Sequence, residues 1–373
     1  MIMKTRFLRL ILIAVSVFVT GTAPLAAQQK GQKALDGVFF KLEKKGQKPS
    51  YALGTVHYVH GDYMHEIPGL DSILGTITCM ASEMGVEEMI HPDQQATMAS
   101  LIAKLQGFDS SKLEREMPTV MQEFLDTTGI DAYTRYLTPQ QLDSLDLVAD
   151  YYKLNDQVAS MSTVQGEKAY RYALPFVLPS LWQSLTMSKI TQFYKDVRGY
   201  TSDYKLLDLM IATKVNEMNE AYAAEHPGEQ PRIKSVGLDS INVMGAFIDS
   251  QADLLNLILE DFSAKNLVKL IYRGGVAQYD LSNRIGQIDS IYRSGKGCEL
   301  IDFLNELPES DRVYGNDVLI SDRNRYWMTQ LPQLMKDHQT LIVVGLAHLL
   351  NTPGSEGILS MLQKQGYKIT RIL

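Results

Sequence analysis

The sequence predicts an α+β (or α/β) fold: a mixed sheet built from strand pairs at both chain ends, with a long helical insert between them. Three observations predict it. Short apolar runs of strand length fall within residues 28–92 and again within 337–373. Apolar residues at three- and four-residue spacing fill most of 93–336. The stretch Thr340–Ala347 is apolar almost throughout, the mark of a strand covered on both faces.

The elements follow in chain order. Lys4, Arg6 and Arg9 precede the apolar run Leu10–Val19, and small residues lead to Ala26 and Ala27. A basic start, a short apolar stretch and a small-residue exit predict a secretory signal peptide over residues 1–27. Its removal, with no acid among those residues, takes the formal charge from -7 to -10. No later apolar run is long enough to span a bilayer. Residues 28–373 are expected to form a single domain, exported and either periplasmic or secreted.

Val38–Leu42 and Tyr51–His57 flank the polar segment Lys44–Lys48, a hairpin pattern in which Gly46 supplies the positive φ of the turn. A short helix is expected over Pro68–Leu74 and a strand over Ile77–Glu83. Helical spacing is clearest in Met98–Leu105, Leu142–Tyr152, Leu206–Ala223 and Val243–Leu259. Arg232–Leu238 interrupts it as a strand after the Pro/Gly-rich loop His226–Pro231. Pro332 is expected to end or kink the helix that begins near Asp322. The chain closes with the strand Thr340–Ala347, a helix over Gly354–Gln365 stopped by Gly366, and a strand over Tyr367–Leu373.

Composition narrows the function. The chain of 373 residues is 45% hydrophobic and 21% charged, which places it among ordinary globular proteins. An acidic balance of 43 Asp+Glu against 36 Lys+Arg lacks the basic face that nucleic acid requires. Two cysteines exclude a disulfide-dense scaffold. Export would permit a Cys79–Cys298 bridge, while a buried free thiol suits the apolar setting of Cys79 equally well.

Two of the seven histidines share one local setting. Gly54-Thr55-Val56-His57 follows Tyr51-Ala52-Leu53, and Gly345-Leu346-Ala347-His348 follows Leu341–Val344. With 26 Gly and 7 His, chance supplies roughly 0.5 Gly-x-x-His matches, so two at strand ends carry weight. Strand ends in an open sheet face a crevice, and a nearby glycine permits close approach. Neutral imidazole there suits a divalent metal, and Glu83, at the end of the next strand, would complete a two-His, one-carboxylate face. A bound water would then become the nucleophile. Glu83 could instead be a helix N-cap or a surface acid, and either histidine a hydrogen-bonded strand-end residue. His60 would face away from His57, and His65, His91, His226 and His338 sit in polar or helix-end contexts. Arg323, in Asp322-Arg323-Asn324, could pair with a substrate carboxylate or an oxyanion, or form a structural ion pair. Trp327 and Met328 are expected in the core.

Leu53-Gly54-Thr55-Val56-His57, Glu83, Arg323-Asn324 and Val343–Leu349 through Gly354 to Gly366-Tyr367 together resemble the TraB/GumN family, which includes Tiki-type metalloproteases and the pheromone-shutdown protein PrgY. The resemblance implies one sheet with the paired His motifs adjacent. It further implies His57, Glu83 and His348 as the active or metal site, supported by Arg323 and Asn324. A Glu-Thr pair and a following Glu-Gln pair of the family fall on Gly237–Met244 here. Asp239-Ser240 replaces the first and Val243-Met244 the second, so the substrate would differ; Asp239 is a candidate second carboxylate or an N-cap. The expected function is therefore a metal-dependent hydrolase (Mn, Co or Zn) that cleaves peptides. Its partner would be a peptide or small-molecule substrate and not nucleic acid. The alternative is a non-catalytic periplasmic protein that binds a ligand or metal, or that helps export or polysaccharide assembly.

Overall fold

The structure, a computed structural model, describes residues 35–91, 110–124, 131–161, 168–172, 178–239, 262–306 and 317–373. The expected leader at 1–27, the helices expected over Met98–Leu105 and Val243–Leu259, and Ser240–Met244 lie outside the described residues.

Among the described residues six strands form one sheet: β1 (Phe39–Glu43), β2 (Ser50–Thr55), β3 (Cys79–Ser82), β4 (Lys234–Gly237), β5 (Thr340–Gly345) and β6 (Lys368–Arg371), in the order β4-β3-β5-β2-β1-β6. The two ends of the chain supply five of them, as expected. The strand read over Arg232–Leu238 from the helical middle joins as the edge strand β4. The hairpin β1–β2 is antiparallel and turns at Gly46, whose φ is +81°. β6 also runs antiparallel to β1, whereas β2, β5, β3 and β4 are mutually parallel. Thr340 to Val344 are all buried, because β5 lies between β2 and β3 and its apolar side chains join the larger core. Each of its large apolar side chains contributes about 1.5–3 kcal/mol by leaving water.

Fourteen α-helices lie among the described residues. After α1 (Leu70–Thr76) and α2 (Val86–Ile90) come α3 (Ser110–Phe124), α4 (Ala132–Tyr136), α5 (Pro139–Tyr151), α6 (Leu154–Met161), α7 (Leu178–Phe193) and α8 (Leu207–Glu225). The second half holds α9 (Ala264–Arg293), α10 (Gly297–Asn305), α11 (Arg323–Trp327), α12 (Leu331–Asp337), α13 (Leu346–Leu349) and α14 (Ile358–Lys364). None is long and apolar enough to cross a membrane. The 30-residue helix α9 joins two cores. Its first half buries Leu267, Val268 and Ile271 among α4–α7, and its second half buries Leu281, Ile288 and Tyr292 against the sheet. Gly275 lets the Trp182 ring of α7 lie against α9, since a Cβ there would stand 3.1 Å from that ring.

Several expectations need correction. β5 stops at Gly345, and Leu346–Leu349 is a helical turn, so His348 sits on α13 rather than at a strand end. Pro332 lies in the first turn of α12, where its missing N–H costs nothing; the break from α11 falls before it, at Met328–Gln330. The helix expected from Gly354 begins at Ile358, because Thr352–Ser355 forms a turn with Gly354 at φ +81°. Cys79 and Cys298 are both free thiols. Cys79 is fully buried in β3, while Cys298, on α10, has its Sγ 3.5 Å from the Leu35 carbonyl.

Candidate functional site

The carboxyl ends of four neighbouring parallel strands open on one edge of the sheet, the position at which open α/β sheets present a crevice. The candidate residues follow those ends: His57 two residues past β2, Glu83 one past β3, Asp239 two past β4, and His348 three past β5. Arg323 and Asn324 enter from the first turn of α11. The glycines of the two motifs set the spacing. Gly54 is buried beside Val344, and a Cβ on it would lie 2.5 Å from Leu346 Cδ1 and 3.0 Å from Leu346 Cα. Only glycine lets α13 press so closely on β2. The Tyr292 hydroxyl donates to the Gly54 carbonyl at 2.6 Å from α9. A Cβ on Gly345 would meet Glu83 Oε1 at 3.3 Å, and the Gly345 N–H donates to that oxygen at 2.9 Å.

Arg323 is the centre of the cluster. Its Nη2 donates to Glu83 Oε2 at 2.5 Å and to Asp239 Oδ2 at 2.7 Å, and its Nε donates to Asp239 Oδ1 at 3.0 Å. Its Nη1 faces His348 Nε2 at 3.2 Å. The other nitrogen of His348, Nδ1, is 2.7 Å from Asn324 Oδ1. Asn324 is fully buried, and its amide donates to the carbonyls of His348 at 3.2 Å and Glu356 at 2.9 Å. With the Asn324 oxygen directed at the ring, the network assigns the proton to Nδ1 and leaves Nε2 to accept from Arg323. Trp327 is core, as expected, yet it also belongs here. Its indole N–H donates to Asp239 Oδ1 at 2.9 Å, and its ring lies 4.7 Å from the guanidinium and 4.5 Å from the His348 ring.

Electrostatics follow from this packing. Burial would raise the Glu83 carboxyl, but the charge of Arg323, with His348 and the Gly345 N–H, holds it at about 2. Burial drives His348 down to about 3, so its ring is neutral at physiological pH. Burial also raises Asp239, against the hydrogen bonds and charge of Arg323. Glu83 is therefore neither an N-cap nor a plain surface acid: Gly85 precedes α2 in that place. Asp322 makes no capping hydrogen bond and pairs with Arg325.

The structure brings Glu83, Asp239, Arg323, Asn324 and His348 into one network and leaves His57, an exposed residue, outside it. His60, set aside in the sequence, is buried and caps the turn Gly61–Glu66 through Nδ1. It lies among the rings of Tyr194, Tyr200 and Tyr204 at 5.2, 4.9 and 5.4 Å. Sequence reasoning missed Asp208, in the first turn of α8. The Gly61 N–H donates to the Lys205 carbonyl at 2.8 Å, His60 bridges Leu206, and the Tyr204 hydroxyl donates to the His57 carbonyl at 2.5 Å. These contacts tie the start of α8 to the loop that carries His57. Burial raises the Asp208 carboxyl, the charge of His57 lowers it, and that of Glu83 raises it. Only the acid at a helix start signalled it, and that is too common a feature to single out.

The donor set does not suit a divalent ion as arranged. Both Glu83 oxygens accept hydrogen bonds, both Asp239 oxygens face Arg323, and the His348 lone pair meets a guanidinium N–H. Among the described residues no group of three His, Cys, Asp or Glu is placed to hold a metal ion.

No curated protein and no solved structure matches the chain. A family model does, over residues 38–371, nearly the whole chain, and its description is the TraB/PrgY/gumN family.

Proposed function

The chain belongs to the TraB/PrgY/gumN family, and from that premise and the crevice geometry we propose that it is an exported hydrolase that cleaves peptides. The supporting observation is the convergence of four parallel strand ends on a crevice that holds a fixed cation, an ionised carboxylate, a neutral imidazole and an exposed histidine. Glu83, with its carboxyl at about 2, is too weak a base for proton abstraction at neutral pH, and its role is to hold Arg323. His57, the exposed imidazole, is the general base. It takes a proton from water as the oxygen attacks the peptide carbonyl carbon, and returns it to the leaving amine as the C–N bond breaks. The Asp208 carboxylate stabilises the imidazolium in between. The positive charge of Arg323 stabilises the developing oxyanion, and Asn324 fixes the His348 ring. No step is routed through a metal, because Arg323 fills the place where the donors meet.

A second reading, a non-catalytic ligand-binding protein or a helper of export or polysaccharide assembly, draws on one observation: Glu83, Asp239, Arg323, Asn324 and His348 satisfy one another. A peptide library incubated with the mature protein and followed by mass spectrometry separates the two. The hydrolase reading expects defined cleavages whose rate falls about 10²–10⁴-fold in His57→Ala and less in Asp208→Asn. No cleavage by wild type, or equal cleavage by folded His57→Ala, overturns it.

A further inference from the structure

The family resemblance implies a divalent ion, and the geometry points to a different cation in its place. We infer that Arg323 is the resident cation of the crevice and keeps divalent metal off Glu83, Asp239 and His348. The inference rests on the crevice described above and on none of the chemistry proposed for it.

The Nη2 nitrogen stands 2.5 Å from Glu83 Oε2 and 2.7 Å from Asp239 Oδ2. A hard cation meets carboxylate oxygens at about 2.0–2.6 Å, so the guanidinium nitrogen already occupies the position between the two acids. The third donor is blocked as well, since the free lone pair of His348 is directed at Nη1. An entering ion would have to expel a guanidinium that holds Asp239 through two nitrogens and lies over the Trp327 ring. It would also meet a fixed positive charge within a few ångströms, a strong repulsion in a partly dry site. The reverse follows by the same logic. Without that charge, Glu83 and Asp239 face each other across the vacated space, and their repulsion is relieved by a proton or by a metal ion.

The test is equilibrium dialysis of the folded mature protein against Mn, Co or Zn, each alone, with bound metal measured by mass spectrometry. The arms are wild type, Arg323→Met, Arg323→Lys and the double variant Arg323→Met/Glu83→Gln, each checked by circular dichroism. Wild type and Arg323→Lys are expected to stay nearly metal-free. Arg323→Met is expected to hold at least about tenfold more metal at the same free concentration, and the double variant to return to the wild-type level. If Arg323→Met does not fold, Arg323→Gln takes its place. Two results overturn the inference: near-stoichiometric metal in wild type, or an Arg323→Met protein that binds no more than wild type. Occupancy is read without substrate, so failure of the peptide screen and failure of this inference are distinct outcomes.

Discussion

Replacing Arg323 by Met removes one cation from between two acids, and the loss should depend on pH in a definite direction. The side chain of Arg323 is 14% exposed and that of Asp239 8%, whereas Glu83 is 33% exposed. Breaking a buried pair by removing one partner costs about 3–5 kcal/mol, and the one-third exposure of Glu83 moves the expectation to the low end, about 3 kcal/mol at pH 7. In wild type the Glu83 carboxyl is depressed from 4.5 to about 2. Its contribution is therefore present above pH 4.5 and is lost as the pH falls toward 2. In the variant the depressing charge is gone. Burial and the facing carboxylate then raise both acids above their unfolded values, so the site is most stable at low pH and loses stability as the pH rises. The deficit relative to wild type should shrink by about 1 kcal/mol between pH 7 and pH 5. Urea unfolding followed by circular dichroism at both pH values measures this. A deficit below about 0.5 kcal/mol at pH 7, the range of an exposed pair, or one equal or larger at pH 5, refutes the reasoning.

The remaining predictions concern the frame of the site. Asn324→Ala should cost about 2–3 kcal/mol in the same urea assay, because it strips the partners of the buried His348 ring and of the Glu356 carbonyl. Gly54→Ala should cost about 1–3 kcal/mol by driving a methyl into Leu346, and should lower the melting temperature while Gly46→Ala, free of any contact, acts only through its turn. Both thiols are pushed up to about 11 by burial, so a thiol reagent at pH 8 should label the native protein slowly. It should then find two thiols after unfolding without reductant; none would mean a bridge.

Much of this was legible before any coordinates. The unbroken apolar run Leu341–Val344 announced a strand buried on both faces. Gly46 announced a hairpin, and Glu83 and Asp239 fell just past the ends of parallel strands. What sequence could not give was the fate of matched motifs. Gly-x-x-His recurs on adjacent strands, yet β5 gives way to a helical turn at Leu346 while the chain after β2 does not. One histidine therefore turns inward to Asn324 and the other stays at the surface. That difference depends on Leu346 packing over Gly54, a contact between residues far apart in sequence. Asp208 escaped for a similar reason, since its place is set by His60, Gly61 and Tyr204 stitching α8 to the β2 loop. The ion-pair alternative kept open for Arg323 is the one its contacts realise, although a lone arginine at a helix start does not show that two acids will clasp it.

The most direct measurement of the central claim is turnover of a cleaved peptide by the purified protein with and without a strong chelator, beside His57→Ala. The account predicts that the rate survives chelation and is lost in His57→Ala. Loss of turnover on chelation, restored by Mn, Co or Zn, would contradict it.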